Sequence, residues 1–89
     1  MRNRLLLRED TRLHIVYSLR YSLYVTKRRA RHFVIEVCDG KWTKTVLLGK
    51  SLDAAYRLYL LLVENEVDPC HVDDIIEDME ERYLPINLT

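Results

Sequence analysis

Few residues in this chain could carry chemistry, and their spacing limits what they can do. Cys70 and His71 are adjacent and follow Asp68-Pro69, which opens a helical pattern. A thiol in the first turn of a helix has a lowered pKa and can become a nucleophile. A structural zinc site needs ligand pairs at CxxC-type spacing, and Cys38, His14 and His32 do not complete one. Cys70 and His71 are therefore read as parts of a turn, with His71 helping to cap the helix. There is no GxSxG, no P-loop and no GxGxxG, and two glycines leave no Gly-rich phosphate cradle. Ser18, Ser22 and Ser51 have strand or cap explanations. The expectation is no enzyme, with no catalytic residue, cofactor or metal.

Charge is the stronger signal. The formal net charge is zero, but residues 1–50 hold 12 basic side chains against 4 acidic ones, and residues 51–89 hold 2 against 10. A split of +8 and −8 implies either internal complementarity or two faces meant for different partners. Its basic centre is Lys27, Arg28, Arg29 and Arg31, followed by His32. Such a loop can neutralise phosphates, with Phe33, Trp42 or Tyr24 stacking on bases. The plainer reading is a solvated hairpin loop that needs charge for solubility, and an acidic protein partner is a further alternative. The acidic centre is Asp73, Asp74, Glu77, Asp78, Glu80 and Glu81. Asp73 with Glu77, and Asp74 with Asp78, are like-charged i, i+4 pairs, which mildly destabilise a helix and invite a basic partner. A straight helix face does not supply the six to eight or so oxygens that calcium takes.

These residues must be positioned by a small fold. A chain of 89 residues, 48 % hydrophobic and 31 % charged, makes one domain that buries little more than about 60 % of its unfolded surface. Self-association would help it. Residues 1–12 are weakly patterned, and Leu5, Leu6 and Leu7 form either an edge strand or a frayed end. From Leu13 to Val25 every second residue is apolar, the signature of a strand with one buried face. At this length a bulge or bend is expected near residues 18–20, or two strands sharing one register. Residues 32–38 resume the alternation with Phe33, Ile35 and Val37. Asp39-Gly40 is a hairpin dipeptide, and residues 42–48 read as the third strand.

Ser51 is an N-cap for a helix over residues 52–66, with Asp53 in its first turn. Asp53, Arg57 and Glu64 mark its polar sector, and Leu60 falls inside it. A helix apolar around the rest of its surface needs cover on two sides, from the sheet and from a second helix or another subunit. Leu60 is accordingly a candidate interface residue. Pro69 disfavours helix at Asp68 and suits the first position of the next helix. Val72, Ile75, Ile76, Met79 and Tyr83 make its apolar stripe, and Pro85 limits it near Leu84. The predicted fold class is α+β, a three-stranded antiparallel meander followed by two helices (β-β-β-α-α), with the first helix between the sheet and the second.

The corner Glu64-Asn65-Glu66-Val67-Asp68-Pro69-Cys70-His71-Val72, with Asp74-Ile75-Ile76-Glu77-Asp78 beyond it, resembles the C-terminal signature of a family of short Firmicutes proteins known as a domain of unknown function. The resemblance covers about residues 51–79. It implies strands followed by a helix ending in NEV-x-P-x-H, in a bacterial, cytoplasmic protein, and implies no catalytic residues. The start of the chain lacks the long apolar core of a signal peptide, and no run is long enough for a membrane span, so the expectation is cytoplasmic with no membrane partner. The function expected is a non-catalytic protein-interaction module, homodimeric or with another protein. Its partner-binding candidates are Leu60, Asp73, Asp74, Glu77 and Asp78. The alternative is a nucleic-acid-binding accessory protein using Lys27, Arg28, Arg29 and Arg31.

Overall fold

The computed structural model describes residues 4–27 and 31–82. Four strands, not three, precede the helices: β1 (Arg4–Leu13), β2 (Ser18–Thr26), β3 (His32–Cys38) and β4 (Thr43–Leu47). They form one antiparallel sheet in the order β1-β2-β3-β4. The first helix, α1, spans Leu52–Glu64, and α2 spans Val72–Arg82 after a 3-10 turn at Pro69–His71. The α+β class stands, and the extra strand is the edge strand β1.

The alternation over residues 13–26 conceals the hairpin that makes this extra strand. The chain reverses over residues 14–17, where the His14 N–H donates to the Tyr17 carbonyl at 2.8 Å. None of these four residues is Gly, Pro, Asn or Asp, so the usual turn signals are missing. The apolar alternation runs through the turn in sequence but not in space: Leu13 faces Ser18 on the open face, whereas Leu19 faces Arg12 on the core face. The turn between β3 and β4 is conventional by comparison. Asp39 Oδ1 accepts from the N–H groups of Lys41 at 2.9 Å and Trp42 at 2.8 Å, and Gly40 supplies φ +95°.

One face of the sheet makes the core. Leu19, Tyr21, Leu23 and Val25 of β2, with Phe33, Ile35 and Val37 of β3, are buried on it. Against them α1 lays Ala55, Leu58, Tyr59, Leu62 and Val63. Each large side chain so buried is worth about 1.5–3 kcal/mol relative to exposure. Ser51 Oγ accepts from the Ala54 N–H at 3.1 Å and starts α1 as the sequence predicts.

The corner ends α1 with a paired set of hydrogen bonds. The Val67 N–H donates to the Leu62 carbonyl at 3.0 Å and the Glu66 N–H to that of Val63 at 3.1 Å. This is the Schellman arrangement. It places Glu66 at φ +50°, where glycine is the usual occupant. Val67 and Leu62 are both buried, which supplies the apolar contact that accompanies the motif. Asp68 then caps the next turn, its Oδ1 accepting from the His71 N–H at 3.1 Å.

The second helix does not fold over the outer flank of α1. Val72 and Ile76 enter the core, and Lys44 Nζ on β4 meets Asp73 Oδ2 at 3.0 Å. The start of α2 therefore covers the β4 side of the sheet, next to α1. Leu52, Tyr56 and Arg57 remain exposed on α1. The end of the predicted stripe, Tyr83, and the stop at Pro85 lie outside the described residues.

Candidate interaction surface

The long edge strand is pinned from one side. Register places Arg8, Asp10 and Arg12 opposite Leu23, Tyr21 and Leu19, so these three stand on the helix-bearing face. There Asp10 Oδ2 lies 2.6 Å from the Tyr59 hydroxyl and 2.9 Å from Arg8 Nε. Arg8 also donates to the Tyr56 hydroxyl and lies over both tyrosine rings. The Tyr59 hydroxyl and the Arg8 guanidinium, in that order, hold the Asp10 carboxyl below the usual carboxylate range. Burial, and then the bond to Asp10, push the Tyr59 phenol up. Both shifts favour the pairing that exists, a carboxylate accepting from a neutral phenol. The cluster is a brace between α1 and β1.

While one face of β1 is braced, its apolar side chains are left out. Leu5, Leu6 and Leu7 are all exposed, Leu5 at 57 %. A bulge at residues 6–8 shifts the register, and beyond it the ladder runs regularly from Arg8 to Leu13. The hairpin tip is barer still. Leu13 is 81 % exposed, Val16 89 %, and Ile15 fully. His14 holds the tip against the corner, its Nε2 3.1 Å from Glu66 Oε1 and its ring edge-on to Tyr17 at 4.6 Å. Adjacent apolar side chains with so little cover are costly in a monomer, and contiguous exposed patches of this kind mark interaction sites.

The other sheet face carries no described helix. Leu6, Tyr24, Val34 and Leu47 form a row across all four strands on it. Arg4 lies over the Tyr24 ring at 4.4 Å and reaches Glu36 Oε2 at 3.0 Å. This face is partly self-covered, since Ser22, Thr26 and Val34 are buried.

The residues singled out from sequence fall into several places. Leu60 is half-buried and packs against the core cluster. Asp73 pairs with Lys44 of its own chain, so acidic helix and basic half do meet at this point. Asp74 and Glu77 are exposed and Asp78 is half-buried. Lys27 and Arg31 are exposed, whereas Arg28 and Arg29 lie outside the described residues. His71 Nδ1 sits 2.7 Å from Asp68 Oδ1, and that bond raises the imidazole pKa. The Cys38 thiol is lowered, first by a hydrogen bond with Thr43 and then by the Gly40 N–H 3.4 Å from Sγ. Among the described residues no cluster of His, Cys, Asp or Glu is arranged to hold a metal ion. No described helix is long and apolar enough to cross a membrane.

The apolar tip and the leucines of β1 were not marked as a site by the sequence. The signal was present in two forms: an alternation too long for one strand, and a Leu-Leu-Leu run placed before the clear pattern. No family model, no curated protein and no solved structure matches this chain.

Proposed function

We propose that this protein is a small non-catalytic interaction module that associates with itself. The observation that carries the reading is the concentration of exposed apolar side chains on β1 and the β1–β2 tip. Among the described residues no strand pairs with the outer edge of the ten-residue β1, and such an edge is a template for another strand. The polar clusters support the same reading, because each has a structural task. Arg8, Asp10 and Tyr59 hold β1 in place, and Asp68 with His71 holds the corner. A braced, rigid edge loses little entropy when a partner docks.

The test is a dilution series followed by amide NMR. Resonances of residues 5–17 should move with concentration while those of β3 stay fixed. If no resonance moves up to millimolar concentration, self-association is not what this surface does.

A further inference from the structure

We infer that the occupant of the β1 edge is β1 of a second copy, running antiparallel with Thr11 on the two-fold axis. The inference rests on the self-association proposed above and adds its geometry. Two antiparallel copies of one strand are related by an axis normal to the sheet, so facing residues must share a sheet face. In the regular stretch from Arg8 to Leu13 this allows only registers centred on a residue. Centring on Glu9, Asp10 or Arg12 sets each of these charges against itself. Centring on Asp10 also sets Arg8 against Arg12. Like charges directly opposite are unfavourable, while opposite charges and Thr–Thr pairs are favourable.

Among the four centres from Glu9 to Arg12, Thr11 is the one that sets no charge of residues 9–13 against its like. It faces the partner's Thr11. Asp10 faces the partner's Arg12 and Arg12 faces the partner's Asp10, both on the helix-bearing face. Glu9 faces the partner's Leu13 on the open face, so from residue 9 to 13 no charge meets its like, and Arg8 falls opposite the partner's His14 at the start of the turn. The same register accounts for the apolar surplus. Residues 15–17 stand as far after Thr11 as residues 7–5 stand before it. The tip of each copy therefore lies where the partner's Leu7, Leu6 and Leu5 run past. The bulge at Leu7 blurs individual pairings but not the match of one apolar run to the other. Each exposed apolar group covers the other twice, once at each end of the joint. The product is a continuous eight-stranded sheet with all four helices on one side.

The experiment uses two variants of the full chain. In a Cys38→Ser, Cys70→Ser background, Thr11→Cys should cross-link to a disulfide dimer under copper-phenanthroline and air. Thr45→Cys, on β4 at the far edge, should not. In the native background Thr11→Lys should weaken dimerisation by about tenfold or more by setting two ammonium groups on the axis, with circular dichroism checking that it folds. Cross-linking at position 11 together with weakened association supports the register. A dimer that neither cross-links at position 11 nor responds to Thr11→Lys overturns the β1 joint and leaves self-association standing. A wild-type chain that stays monomeric overturns both.

Discussion

The Tyr59 hydroxyl lies 2.6 Å from Asp10 Oδ2 and 3.1 Å from the carbonyl of Tyr21, so one phenol ties α1 to two neighbouring strands. Its proton is shared unequally, with the carboxylate as the stronger acceptor. Removing it should loosen the edge strand before it loosens the core. Tyr59→Phe is expected to lose about 1–3 kcal/mol, because the carboxylate and the buried carbonyl both lose a donor. Urea unfolding reads the loss, and hydrogen exchange should show it as faster opening of β1 than of β3.

Acid should act through the same pair. The folded Asp10 carboxyl titrates below its unfolded value of about 3.9. Its contribution to stability is therefore present above that pH and is lost as pH falls through the folded pKa. Between pH 5 and pH 2 or so the wild type should lose more stability than Asp10→Asn, measured by urea midpoints at each pH. Equal losses would show that the carboxylate is not held as the geometry requires.

The corner offers a test of opposite sign. Glu66 stands at φ +50° at the end of α1, a conformation that costs a side chain with a Cβ about 1–2 kcal/mol. Glu66→Gly removes that cost and also the contact with His14. The net expectation is a gain of up to about 1 kcal/mol in thermal or urea unfolding. A loss would mean that the His14–Glu66 contact matters more than the backbone strain.

At the start of the following turn, Asp68 should control His71. The carboxylate raises the imidazole pKa, so this contact adds stability below the unfolded value of about 6.5 and loses it as pH rises through the folded pKa. An NMR titration should place His71 above the usual histidine midpoint, and Asp68→Ala should return it there. The same substitution removes a cap and should cost about 0.5–2 kcal/mol.

Much of the architecture was legible in the sequence because its signals are local. Ser51, Asp53, Pro69 and the stripes of α1 and α2 act within one or two turns, and the helices fall close to where those residues put them. The β1–β2 hairpin was not legible, because Ile15, Val16 and Tyr17 have strand-like composition and Ile15 and Tyr17 continue the apolar alternation of their neighbours. Part of what holds that turn is distant in sequence, since Glu66 meets His14. The position of α2 was hidden for a similar reason. An apolar flank on α1 asks for cover but does not say from where, and the burial of Val72 and Ile76 in the core sets α2 beside it instead. The exposure of the β1 leucines emerges only once the fold shows which apolar residues the core takes.

The tip gives a sharp separation of stability from association. Ile15→Asp with Val16→Ser changes side chains that make little contact within the monomer. Unfolding free energy should stay within about 0.5 kcal/mol of wild type, as for surface substitutions generally. Self-association should fall, read by light scattering at matched concentrations.

Sedimentation equilibrium of the wild-type chain, from micromolar to millimolar loading, tests the central claim most directly. A two-fold joint between edge strands requires a reversible monomer–dimer equilibrium that saturates at two copies. A single species at the monomer mass across the whole range would contradict it.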